Sequence, residues 1–182
     1  MTSINPHTLS LSRLKRDIPA LTEPVGGAFV EACMVCLEDQ GHQSGTELEV
    51  TGTYSTTVSV QWEGKTTVQM QRTWKDMEFA TEIAACGIAI LLIEELTDYT
   101  VFEAASRGEG IDYWLADKEK ANADFYTRAA RLEVSGVLRG SRGRIAARVQ
   151  QKIKQTESSA GEFPVYVVVV EFSRPEARMV KT

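Results

Sequence analysis

A run of valines near the C-terminus restricts the fold of this chain more than any other segment. Residues Val165 to Val170 are apolar at odd and even positions alike. Successive side chains of a strand point to opposite faces of its sheet, so such a run predicts a strand that is covered on both faces. We therefore expect residues 165–172 to form a central strand of a sheet.

The segments before this run predict the rest of that sheet. Asp76 is a suitable N-cap for a helix over residues 77–96, whose Ala, Ile and Leu content predicts burial against a sheet. Polar residues 117–127 read as an insertion between two strands. The remaining candidates are strands at 100–105, 111–116 and 130–137 and a helix at 141–155. The predicted order is helix, three strands, helix, strand.

The first 75 residues divide into two regions. Residues 1–24 are polar, contain three prolines, and predict an arm. Residues 25–75 predict a helix over about 26–40 and a β-hairpin whose turn is Glu63-Gly64, both packed on the core at 76–182. We expect the whole chain to form one compact domain.

Composition limits the class of protein. The chain has 182 residues, 43% of them apolar, and a formal charge of −5. Its polar first residues do not resemble a secretory signal, and apolar runs such as Ile88–Ile93 are far shorter than the roughly 20 residues that span a bilayer. Three cysteines without a signal predict a reducing, cytoplasmic location and no membrane association. Because the chain is acidic overall, any contact with nucleic acid must use a local basic patch.

Two carboxylates fall inside strand candidates. Asp112 and Glu133 each lie among residues that belong in a core. A buried carboxylate is costly unless it is paired, protonated or bound to a metal, and two on neighbouring strands can form a divalent-cation site. The alternatives are structural: Asp112 could accept hydrogen bonds from the turn at 108–110, and Glu133 could pair with Arg131 or Arg144.

The order of elements, with an Asp at the start of the second strand and a Glu within the third, resembles the PD-(D/E)XK superfamily, the restriction-endonuclease-like fold. The resemblance covers about residues 76–172, and residues 1–75 have no counterpart in it. It implies an α/β (α+β) fold with an αβββαβ core and a mixed sheet. It also implies that Asp112 and Glu133 hold Mg²⁺ or Mn²⁺, with a Glu of the first helix as a third ligand. For that third ligand we prefer Glu82 to Glu78, because it lies deeper in the helix.

Members of that family carry a triplet of an acidic residue, any residue and a lysine. This chain has Glu133-Val134-Ser135 there, with serine in place of the lysine. The family's lysine positions the attacking water and neutralises the phosphate. Lys152 or Arg148, on the following helix, is our candidate to replace it. Both belong to a dense basic run, which predicts a nucleic-acid-binding surface or, alternatively, a solvated helix face. The run consists of Arg139, Arg142, Arg144, Arg148, Lys152 and Lys154.

A zinc site is not expected. Cys33-x-x-Cys36 with His42 supplies three candidate ligands, whereas structural zinc normally has four. Buried cysteines that act as small apolar residues are the better interpretation.

Three functions follow from these observations. The first is a cytoplasmic, Mg²⁺-dependent nuclease or nuclease-like subunit, acting on DNA rather than RNA, with a protein partner or as a homo-oligomer in a restriction, repair or antiviral defence system. The second is an inactive nuclease-like module with an assembly or regulatory role, which Ser135 favours. The third is a self-associating structural subunit, which requires a flat apolar face on the hairpin.

Overall fold

The computed structural model describes residues 7–120, 125–157, 161 and 163–182. This part of the chain is an α+β structure with eight strands in one mixed sheet. The strands are β1 (His7–Ser10), β2 (Thr46–Gly52), β3 (Thr56–Gln61), β4 (Tyr99–Ala104), β5 (Tyr113–Asp117), β6 (Ala130–Val137), β7 (Val165–Glu171) and β8 (Glu176–Lys181). The α-helices are α1 (Glu23–Asp39), α2 (Val68–Thr73), α3 (Met77–Leu96) and α4 (Arg142–Glu157).

The strand order across the sheet is β1-β3-β2-β8-β7-β6-β5-β4. The pairs β1–β3, β2–β8 and β6–β7 are parallel, and the other pairs are antiparallel. All seven residues of β7 are buried, and the strand lies between β6 and β8. The prediction of a central strand at the valine run is therefore confirmed.

The two faces of β7 are covered by different helices. Tyr166, Val168 and Val170 pack into one apolar cluster with residues of α1 and α3. Val169 packs on the opposite face with Ile145 and Val149 of α4. The alternation of side chains along one strand therefore separates α3 from α4 by the thickness of the sheet.

Helix α3 matches its predicted bounds, and its N-cap is Asp76, whose carboxylate accepts hydrogen bonds from the backbone N–H groups of Glu78 and Phe79. It is apolar nearly all round because it lies between α1 and strand β6. The contact with β6 is close. A Cβ added to Gly136 would lie 2.5 Å from the carbonyl oxygen of Thr81, so the absence of a side chain at Gly136 sets the distance between α3 and the sheet.

The prediction of an arm at residues 1–24 is wrong over residues 7–24. Residues 7–10 form strand β1, which pairs with β3, and a short 3₁₀ helix follows at Leu11–Lys15. Leu9, Leu11 and Leu14 are fully buried. These leucines are separated by polar residues, so the average polarity of the segment did not indicate that they would be buried in the core. Residues 1–6 lie outside the described part of the chain.

The hairpin exists, but its predicted turn was wrong. Strands β2 and β3 are joined at residues 53–55, and Glu63-Gly64 follows the hairpin instead. Residues predicted to form its second strand contain helix α2, whose N-cap Thr67 accepts a hydrogen bond from the Met70 N–H. The hairpin also extends the main sheet instead of packing on it, because the unpredicted strand β8 pairs with both β7 and β2.

Candidate functional site

A cleft of about 970 Å³ opens between the first half of α3, the start of β5, the end of β6 and the cationic face of α4. Acidic residues lie on the α3 and β5 side, and basic residues lie on the α4 side. The charged residues that line it are Glu78, Glu82, Asp112, Arg139, Arg144, Arg148 and Lys152.

Asp112 lies immediately before β5 and is fixed by strand β6. Its N–H donates to the Leu132 carbonyl at 2.9 Å, and its Oδ2 accepts from the Val134 N–H at 2.7 Å. The carboxylate of Asp112 therefore accepts a hydrogen bond from a backbone N–H group of β6, just before the residues at which β5 pairs with that strand. Gly108 and Gly110, both with positive φ, make the turn that leads into this position.

Glu133 lies within β6 and is 3% exposed. Its partner is Lys152 of α4, whose Nζ donates to Oε1 at 2.6 Å. The acidic residue is therefore paired with a lysine, and neither Arg131 nor Arg144, the alternative partners suggested by the sequence, forms this ion pair. A short contact between ionised groups is stronger than a neutral hydrogen bond.

The two carboxyl groups interact with each other. Each of them shifts the pKa of the other. Burial, followed by the negative charge of Asp112, raises the pKa of Glu133 to about 7, against the opposing effect of Lys152. Burial likewise raises the pKa of Asp112, opposed by the hydrogen bond from Val134 and by the charge of Lys152. Close carboxylates of this kind share a proton more readily than they both ionise.

Lys152 reaches Glu133 and Asp112 from helix α4, whereas the lysine of the family's triplet would lie at position 135 on strand β6. Ser135 lines the same cleft but carries no charge. Arg144, Arg148 and Lys152 are each four residues apart and so lie on one face of α4, about 6 Å apart along its axis. The adjacent face carries Ile145 and Val149, which are buried against the sheet.

Two other basic residues differ in position. Arg139 lines the cleft, and its Nε donates to Oε1 of Gln40 at 2.8 Å. Arg142 does not line the cleft. Its guanidinium lies 3.6 Å from Glu49 and 3.9 Å from Glu176. The expectation that Arg142 shares one surface with the other basic residues is therefore corrected, because α4 turns this residue towards β2 and β8.

Glu82, the predicted third metal ligand, lines the same cleft as Asp112. However, among the residues that the structure describes, no three His, Cys, Asp or Glu side chains come together as a metal-binding group. The structure thus brings Asp112 and Glu133 together and leaves Glu82 on the neighbouring wall.

The sequence did not indicate that Cys86 would lie beside the carboxylates. Its thiol lines the cleft, and burial, with the charges of Asp112 and Glu133, raises its pKa well above the ordinary value. The one sequence feature that could have indicated this position is the spacing of four residues, about one helical turn, between Glu82 and Cys86. Cys33 and Cys36 are buried between α1 and α3 as free thiols.

No protein-family model, curated protein or solved structure significantly matches this chain. Within the described ranges, no helix is long and apolar enough to cross a membrane. The chemistry of the cleft must therefore be inferred from its own side chains.

Proposed function

We propose that the protein is a Mg²⁺- or Mn²⁺-dependent nuclease, or a nuclease-like subunit, that hydrolyses phosphodiester bonds, with DNA preferred to RNA. The observation that supports this proposal best is the Lys152–Glu133 contact beside Asp112, in a cleft that has a cationic wall. The resemblance to the PD-(D/E)XK superfamily is part of the same proposal.

The donor set suits a hard cation. Asp112 and Glu133 offer carboxylate oxygens, and Mg²⁺ typically takes one or two carboxylates and keeps several waters. Glu82 is a further carboxylate in the same cleft. A bound ion would lower the pKa of a coordinated water and offset charge on the reacting oxygens.

The other residues have separate roles in this proposal. Lys152, already within hydrogen-bonding distance of Glu133, is placed to hold a water or a phosphate oxygen near the carboxylates. Arg144 and Arg148 extend the same positive stripe and would bind neighbouring phosphates. Lys152 would therefore do what the family's triplet lysine does, although it comes from α4.

The test is a cleavage assay with purified protein. We expect Mg²⁺- or Mn²⁺-dependent cleavage of at least one member of a panel of single- and double-stranded DNA and RNA. Asp112→Asn and Lys152→Gln should abolish it, and Lys154→Gln, which changes an exposed lysine on the same helix, should not. Equal cleavage by Asp112→Asn and the unmodified protein would overturn the proposal.

A second candidate is an inactive nuclease-like module that acts in assembly or regulation. Ser135 in the lysine position and the absence of a group of three metal-binding residues in the described ranges favour it. It predicts no cleavage by the protein either alone or with proteins that co-purify with it from its native host. A protein partner within a restriction, repair or defence system is compatible with both candidates.

The third alternative, a self-associating structural subunit, is not favoured by the β2–β3 hairpin, all of whose residues the structure describes. Its inward residues, such as Val50 and Val58, are fully covered by the core. Its outward residues include Glu47, Glu49 and Thr57, which are exposed and polar. The flat apolar face that this alternative requires is therefore missing from the described hairpin.

A further inference from the structure

An exposed aromatic ring lies on α3, next to the residues of that helix that line the cleft. Phe79 is 54% exposed, although it is one of the large apolar residues of the chain. It precedes Glu82, Ile83 and Cys86, which all line the cleft, by three, four and seven residues. Residues at these spacings share one face of a helix. Phe79 therefore continues the cleft-lining stripe by one turn, towards solvent.

The ring of Phe79 is supported from behind. It stacks on the indole of Trp74, with a centroid separation of 6.0 Å and an interplanar angle of 19°. Trp74 is only 7% exposed, and its Nε1 donates to Oε2 of Glu31 on α1. A half-exposed ring on a fixed indole is a preformed stacking surface, because little side-chain freedom remains to be lost on binding.

The two walls of the cleft carry opposite charges. Arg144, Arg148 and Lys152 line the α4 wall, whereas Glu78 and Glu82 line the α3 wall. Phosphates are attracted to the first wall and repelled by the second. Bases carry no formal charge, and amino groups on their edges can donate to carboxylates.

We propose that the cleft binds a single strand of nucleic acid, with its phosphates along Arg144 and Arg148 and one base stacked on Phe79. This inference rests on the proposed function, because it takes nucleic acid as the substrate. It adds that the substrate is single-stranded and that Phe79 is a specificity-determining residue. A duplex fits less well, since it presents phosphates on both sides and would bring one backbone against Glu78 and Glu82.

The first test is binding of a fluorescently labelled oligothymidine, measured by anisotropy in the presence of EDTA so that cleavage does not interfere. We expect the single strand to bind more tightly than a duplex of equal length. Stacking of one base is worth about 1–3 kcal/mol, so Phe79→Ala should weaken binding about 5- to 150-fold. Phe79→Tyr should retain most of the affinity. Phe125→Ala, which removes a ring that is 81% exposed and lies outside α3, is the matched control.

The second test separates stacking from charge. Each phosphate contact that is lost should reduce the slope of log affinity against log salt by about 0.7 for a single strand. We expect this reduction in Arg148→Gln and no reduction in Phe79→Ala. Arg142→Gln is the control, because that arginine lies on the same helix but faces Glu49 and Glu176.

The outcomes distinguish this inference from the proposed function. Single-strand binding that depends on Phe79, without metal-dependent cleavage, would support the inference and contradict the nuclease. Tighter binding of the duplex, or unchanged oligothymidine binding in Phe79→Ala, would overturn the inference even if cleavage is observed. The same measurements with oligouridine show whether the strand is preferred as DNA or RNA.

Discussion

The ammonium nitrogen of Lys152 lies 2.6 Å from Oε1 of Glu133, and these two residues come from a helix and a strand that are adjacent only in the folded chain. Glu133 is 3% exposed and the Lys152 side chain 19%. A buried carboxylate at this position is tolerated because the lysine is present. The same contact places a positive charge next to Asp112, where the proposed chemistry needs it.

Removing Lys152 should destabilise the fold in a pH-dependent manner. Lys152→Gln leaves Glu133 buried without its cation, and breaking such a pair from one side costs about 3 kcal/mol. The cost should be largest near pH 8 and smaller near pH 5, where Glu133 can be protonated. Urea unfolding at about these two pH values measures it, with Lys154→Gln as the control. An equal loss for both variants would contradict the role of the ion pair.

Stability should fall as pH rises through neutrality because of Glu133. Its pKa is about 7 in the folded protein, against an ordinary value of 4.5. The folded state therefore binds this proton more tightly than the unfolded state. The resulting stabilisation is full below about pH 4.5 and is lost as pH passes about 7. Glu133→Gln should flatten the decline in unfolding free energy between about pH 5 and pH 8, and an unchanged pH profile would refute the assignment.

Asp112→Asn should strongly reduce Mg²⁺ affinity. Asparagine keeps an oxygen that can accept the Val134 N–H, so the fold is retained while the charge is lost. Isothermal titration calorimetry measures the change. Asp117→Asn, at the other end of β5, is the matched control and should bind like the unmodified protein. Unchanged affinity in Asp112→Asn would exclude this carboxylate as a ligand.

The proposed replacement of the triplet lysine can be tested by moving the charge. If Lys152 supplies that charge, Lys152→Gln should be inactive, and adding Ser135→Lys should restore part of the cleavage, since both positions line the same cleft. Steady-state rates on the best substrate of the panel provide the measurement. Ser141→Lys is the control, because Ser141 precedes α4 and does not line the cleft, and it should restore nothing. Equal recovery from both added lysines would show that the position of the charge is unimportant.

The spacing of α3 and β6 should depend on Gly136. In Gly136→Ala the new Cβ would lie 2.5 Å from the Thr81 carbonyl oxygen, and relief of such overpacking costs about 1–3 kcal/mol. Gly143→Ala is the control in α4, where the nearest atom to a new Cβ is 3.9 Å away. That change should stabilise the helix by about 0.5–1 kcal/mol. Thermal unfolding of the two variants should therefore shift in opposite directions.

Local pattern alone determined several elements. The valine run at 165–170 required a strand covered on both faces, and Asp76 with the apolar residues after it required the start of α3. The alternation at 130–137 likewise specified both ends of β6. In each case the periodicity of side chains follows from backbone geometry, so neighbours in sequence carry the information.

Tertiary structure decided the rest, because long-range pairing leaves little trace in a local pattern. Strand β8 acquires its role only by lying between β7 and β2, and β1 only by pairing with β3. Likewise, the sequence nominated Lys152, with Arg148 as an alternative, to replace the missing lysine. The packing of Ile145 and Val149 against the sheet fixes the rotation of α4, and that rotation brings Lys152 to Glu133 while turning Arg142 away.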